Sequence, residues 1–182
     1  SHARNRTSAA VRVRADLDPQ DGCSIFFHYK KHKEIGLMDT PQYPRSPKIQ
    51  IGGLAHLGRL FDKIRMRNAG QIQDYNYLTV GFDKYLLDLL EMTGEDLEKR
   101  VLQGGADEEV VAWVQEHGKT LTDEERTQWN DRILNGGPQN ETAQQRFQSR
   151  IAEVAAKRGL SVEQLSSLTR WVDIIELDEG RM

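Results

Sequence analysis

The feature that most constrains the fold is the punctuation of residues 39–182. Short apolar periods at helical spacing follow one another, each opened by a capping residue and most closed by glycine. The first covers about 53–69. Leu54, Leu57, Leu60, Phe61 and Ile64 make its apolar side, and Gly70 suits the left-handed position after a helix. Asp83 is placed to cap a helix carrying Tyr85, Leu86, Leu89 and Leu90, and Thr93 a short one ending at Gly104-Gly105. Asp107 is placed to cap a third, EEVVAWVQEH, closed by Gly118. Thr122 with Glu125 has the spacing of a capping box ahead of Trp129, Ile133 and Leu134, and Asn135-Gly136-Gly137-Pro138 stops that helix. Thr142 with Gln145 opens a longer helix, with Phe147, Ile151, Val154 and Ala155, to about Arg158. Ser161 with Gln164 opens a last short one.

Two segments break this rhythm. QIQDYNYLTV, residues 71–80, alternates and is rich in Tyr, Thr and Val, as one short strand would be. RWVDIIELDEGRM at the end sets Trp171, Val172, Ile174, Ile175 and Leu177 between acids, which reads as a strand or an extended strap. The predicted class is therefore mainly α: a compact multi-helix single domain, with one short strand or extended strap segments. Trp113, Trp129 and Trp171 are its expected core anchors.

Residues 1–38 read differently. They mix Arg4, Arg6, Arg12 and Arg14 with small residues before a basic HYKKHKE run. The net charge is +3 over this segment and −6 over the remainder. Helical periodicity is poor, so the segment is expected to be flexible or appended, with Met38 a plausible natural start. With 37% hydrophobic and 29% charged residues the chain lies on the polar side of globular but outside the disordered class. The net charge of −3 argues against nucleic acid as a partner. No apolar run approaches the ~20 residues a spanning helix needs, so no membrane partner is expected. The single cysteine, Cys23, rules out an intrachain disulfide and suggests a cytoplasmic protein.

The chemistry-bearing stretch is Tyr43 to Gly70. His56, Arg59, Lys63 and Arg67 recur at i, i+3, i+7 and i+11, a cationic stripe on one helix face. Like charges one turn apart repel by ~0.2–0.5 kcal/mol a pair, so an anionic counterpart is expected. One reading is a site for a phosphate- or carboxylate-bearing ligand. Arg59, Lys63 and Arg67 would supply charge-assisted bonds, with Arg45 joining from its Pro-bracketed loop and Gly52-Gly53 opening the helix N-terminus. Another is that Asp173, Glu176, Asp178 and Glu179 neutralise the stripe, within one chain or across a homodimer. In a third, the cluster orients an anionic metabolite while His56, Asp62 or Tyr75 moves protons. Asp62 is also spaced to bridge Arg59 or Arg65, and Tyr75 and Tyr77 beside a basic stripe could stack bases.

Other chemistry is poorly supported. Gly52-Gly53 is not a phosphate loop, since neither G-x-x-x-x-G-K-[ST] nor G-x-G-x-x-G occurs. His28 and His32, four apart and downstream of Cys23, have a formal ligand spacing but lie in the appended segment. No metal site and no cofactor are expected. Neither Cys23 nor Ser46 has a base placed beside it by any pattern.

The order of certain motifs carries a resemblance. They are Tyr43-Pro44-Arg45-Ser46-Pro47, Gly52-Gly53, Arg59-Leu60-Phe61-Asp62-Lys63, Asp74-Tyr75-Asn76-Tyr77 and Gly81-Phe82-Asp83. Gly105-Ala106-Asp107-Glu108-Glu109 with Trp113, Trp129-Asn130 and Asp178-Glu179-Gly180-Arg181 follow. From about residue 39 to the end the chain resembles the bacterial family known as domain of unknown function 5069. That resemblance implies a bacterial source and a compact domain, and it brings no activity, substrate or cofactor with it.

Overall fold

The structure is a computed structural model and describes residues 43–182. The expectations for residues 1–38, with Cys23, His28 and His32, lie outside the described residues. The architecture is mainly α. A small antiparallel hairpin, β1 (Gln50–Ile51) and β2 (Leu54–Ala55), leads into α1 (Leu57–Asn68). Then come α2 (Gly81–Leu90), α3 (Gly94–Leu102), α4 (Asp107–His117), α5 (Asp123–Asn135) and α6 (Glu141–Arg158). A 3-10 turn at Glu163–Leu165 precedes α7 (Trp171–Asp178).

The first helix begins at Leu57 rather than at about residue 53, and Gly52-Gly53 lie ahead of it. They form the hairpin turn, with φ of 58° and 77°. A Cβ at Gly52 would lie 2.6 Å from Val111 Cγ1, so this turn also needs the missing side chain to pack on α4. From the hairpin the chain enters α1 through His56, whose φ of 70° is left-handed. Two α5 side chains secure the hairpin. Trp129 Nε1 donates to the Ala55 carbonyl at 2.9 Å, and Asn130 accepts from Ala55 N at 2.8 Å while donating to the Gly53 carbonyl.

α1 is the central helix. Leu57, Leu60, Phe61 and Ile64 are essentially inaccessible and pack with Leu86, Leu90, Leu97, Val110 and Ile133 from the surrounding elements. Each such side chain contributes about 1.5–3 kcal/mol through burial. A second apolar cluster joins α6 (Phe147, Ile151, Val154) to Leu165 and to Ile174 and Leu177 of α7. α7 turns its apolar side to that cluster, while Asp173, Glu176 and the following Glu179 are buried among cations described below. Trp129 is a core anchor as expected. Trp113 and Trp171 are half-buried, stacking on His117 and meeting Phe147 edge-on.

Several local expectations are corrected. Residues 171–178 are helical rather than strand or strap, and 71–80 form an irregular connection with no strand. Asp83 is inside α2, not its cap; the capping position is Val80. Asp107 is the first residue of α4 after Ala106, and α6 is capped by Asn140 rather than Thr142. In each case the acid or threonine sits one to three residues inside the helix, and the two acids there still favour the positive end of the dipole. Thr93 and the Thr122–Glu125 box cap as expected.

Candidate functional site

Because α1 is buried on nearly every side, its charged stripe is buried with it. His56 is 3% exposed, Arg59 4% and Lys63 3%. An ion out of water costs several kcal/mol even after relaxation, far more than the few tenths from Arg59–Lys63 repulsion. Burial, not mutual repulsion, therefore decides that these cations need partners.

The partners come from distant parts of the chain. Arg59 makes a two-pronged pair with Glu179, at 2.9 Å to Oε2 and 2.5 Å to Oε1. Its guanidinium also donates to the carbonyls of Pro44 and Arg45 and lies over the Tyr75 ring at 5.7 Å. Glu179 further accepts from Tyr75 Oη at 2.9 Å and from Arg181, which bonds Glu176 and the Pro44 carbonyl as well. Burial raises the Glu179 carboxyl, and the hydrogen bond and charge of Arg59, with Tyr75 and Arg181, outweigh it, leaving it below the ordinary carboxylate value. Burial, with the neighbouring Glu179 charge, holds the Tyr75 hydroxyl protonated well above its usual range.

One turn along α1, Lys63 Nζ lies 2.5 Å from Asp83 Oδ2, and Asp83 Oδ1 lies 2.7 Å from His56 Nε2. Asp83 Oδ2 also accepts from the Leu78 amide at 3.1 Å. Burial lowers Lys63 while Asp83 opposes the shift. For Asp83 burial raises, but the His56 hydrogen bond and the Lys63 charge prevail and lower it. His56 Nδ1 is the buried side-chain polar atom that has no partner among the described residues.

A third group runs along α1 from Gly58 to Arg65. Arg45 bonds Asp62 at 2.6 and 2.7 Å and Asp107 at 2.7 Å, and Arg65 reaches Asp107 at 2.7 Å. The Arg45 side chain packs on Gly58, where a Cβ would sit 2.9 Å from it. Asp62 therefore serves chiefly Arg45; Arg65 is 3.9 Å away. Arg67 is half-buried, donating to the Gln73 carbonyl and covering the Tyr77 ring at 4.6 Å, while Tyr77 Oη donates to Glu98. Neither Tyr75 nor Tyr77 is thus an unengaged stacking platform.

The structure brings His56, Arg59, Lys63, Tyr75 and Arg45 together around one polar seam and leaves Arg67 with Tyr77 at its edge. Of the four tail acids, Glu179 reaches the stripe. Asp173 pairs with Lys48 and Arg170, Glu176 with Arg181, and Asp178 with Arg150 and Lys157. Asp83, Asp107 and Arg181 are participants that spacing did not reveal, since two looked like helix caps and the third like a terminal charge. Among the described residues no three His, Cys, Asp or Glu side chains converge as a metal site.

The motif residues Arg45, Arg59, Asp62, Lys63, Tyr75, Asp83, Asp107, Glu179 and Arg181 thus meet in adjoining ion-pair clusters along α1. The family model described as Domain of unknown function (DUF5069) matches residues 41–181, and the chain belongs to that family. No curated protein matches the chain. Among the described residues no helix is long and apolar enough to cross a membrane.

Proposed function

Starting from membership of a family with no assigned activity, we propose that this domain is a structural or interaction module whose basic central helix is neutralised by its own carboxylates. The observation that carries the reading is the Arg59–Glu179 pair, buried from both sides and two-pronged. Lys63 is similarly occupied by Asp83. In the ligand-binding reading a phosphate or carboxylate must displace Glu179 from Arg59, giving up a charge-assisted fork to gain one like it. Exchange of that kind yields little net affinity. The single cysteine and the resemblance support a bacterial cytoplasmic setting.

The test is thermal unfolding in phosphate and in citrate against sodium chloride at matched ionic strength. The module reading expects only the gradual, non-saturating stabilisation that excluded salts such as phosphate and citrate give any folded chain, equal in the native chain and in Arg67→Ala. A specific, saturating stabilisation by phosphate or citrate, lost in Arg59→Met while that variant stays folded, would favour the anion-binding reading instead.

A further inference from the structure

We propose that His56, Asp83 and Lys63 form an acid-released latch that holds the 71–80 connection and the start of α2 against α1. The geometry makes the latch conditional on a neutral imidazole. Asp83 Oδ1 is an acceptor, so the 2.7 Å contact requires a proton on His56 Nε2. Nδ1 then carries a lone pair, buried and without a partner among the described residues. Protonation there would create an N–H with no acceptor, in a ring that is 3% exposed. The ring is fenced by the Phe82 edge at 5.6 Å, and its backbone N–H is tied to the Pro47 carbonyl at 2.9 Å. The left-handed backbone at His56 adds a conformation that few residues adopt without a surrounding structure to impose it.

The charged groups facing the ring are Asp83 from α2 and Lys63 and Arg59 from α1. Burial pushes the imidazole below its ordinary value; Asp83 pulls it up, and Lys63 and Arg59 push it down again. A histidine depressed in the closed state takes up its proton preferentially in the open state. The closed state therefore loses stability as pH falls below about 6.5, and continues to do so down to the closed-state value. Lys63 sharpens this, because it already occupies the other Asp83 oxygen and leaves one carboxylate to serve two cations.

Asp83 connects the latch to the chain around it. Its Oδ2 accepts from the amide of Leu78, itself at a φ of 50°. In the open state, where the imidazole takes up its proton, Leu78 is without its Asp83 acceptor and the first turn of α2 is without its anchor on α1. The apolar cluster of α6 and α7 contains none of these groups. The device is thus local, and it is independent of whether the Arg59–Glu179 pair serves the role proposed above.

The experiment is amide hydrogen exchange on the full chain between pH 7.5 and 5, corrected for intrinsic exchange, with imidazole nitrogen shifts recorded alongside. The expected result is that protection at Leu78 and in the first turn of α2 falls by up to about tenfold per pH unit below about 6.5. Amides of α6 and α7 keep their protection. His56→Asn, chosen because asparagine tolerates the left-handed backbone, removes that pH dependence. The nitrogen shifts of the native chain, which need no variant to fold, report a neutral ring protonated on Nε2 that titrates only as Leu78 opens. An imidazole titrating at or above pH 6.5 with Leu78 still protected would overturn the proposal. So would an unchanged pH dependence in a folded His56→Asn.

Discussion

Replacing Glu179 by Gln removes one charge and leaves the shape nearly unchanged. Four donors converge on that carboxylate: two from Arg59 and one each from Tyr75 and Arg181. The amide offers a donor where one of them needs an acceptor, and it strands the buried Arg59 charge. Breaking one side of a buried pair costs ~3–5 kcal/mol. Arg181 is partly exposed and keeps Glu176, so its share resembles a surface pair, ~0–1 kcal/mol. The expected loss for Glu179→Gln is therefore about 3 kcal/mol, and Arg59→Met, which leaves Glu179 to Tyr75 and Arg181, about 2–3 kcal/mol. In the double variant no charge is left stranded at that position. Its cost should fall short of the sum by about 2–3 kcal/mol. Urea unfolding at pH 7 with a common m value measures all three. In thermal scans Glu179→Gln should lower Tm by about 6–12 °C and Arg59→Met by about 4–12 °C, taking ~2–4 °C per kcal/mol for a chain of this size. Single losses under about 1 kcal/mol with no coupling would mean that the pair is solvated in solution, and the argument from burial would fail.

Other consequences follow from individual contacts. Trp129→Phe should cost about 1–3 kcal/mol in urea unfolding, because the Ala55 carbonyl loses a buried donor; Asn130→Ala, which strips the buried Ala55 amide of its acceptor and the Gly53 carbonyl of a donor, should cost about as much. Gly52→Ala combines a positive φ with a 2.6 Å approach to Val111 and should destabilise by about 1–3 kcal/mol; Gly70→Ala, with nothing within 4 Å, should cost only the backbone part. Asp83→Asn should flatten the acid limb of stability. The carboxyl is depressed below its ordinary 3.8, so its contribution is complete above that pH and is lost as pH falls through the folded value. In the native chain this adds up to ~1.4 kcal/mol per pH unit below 3.8, which the variant lacks in acid-titration calorimetry.

The first six α-helices and most of their ends were readable because they rest on local chemistry: Thr93, the Thr122–Glu125 box and Gly159 act within a few residues of themselves. The apolar run from Leu57 to Ile64 was equally plain, but its central position was not. Periodicity marks which residues seek burial and cannot say how many neighbours a helix will have, and that number decides whether Arg59 and Lys63 meet water or carboxylates. Asp83 and Asp107 looked like caps because a carboxylate near a helix start has the same pattern whether it serves its own backbone or a cation far along the chain. The partners of His56 and Arg59 lie 27 and 120 residues away, which no spacing rule spans. The C-terminal run looked extended because its Ile and Val are strand formers. Packing against Phe147 and Ile151 overrides that preference and makes 171–178 a helix. The acidic tail was nonetheless identifiable as a counterpart of the stripe, since opposite charge is visible without knowing the fold.

The central claim is that the cations of α1 are satisfied from within. The most direct measurement is nitrogen-detected NMR of the Arg59 guanidinium in the full chain at pH 7, before and after adding phosphate in large excess. The account predicts separately resolved, slowly exchanging Nη protons, held by Glu179 and the Pro44 and Arg45 carbonyls and unmoved by phosphate. A single rapidly exchanging signal that shifts and saturates with phosphate would contradict it.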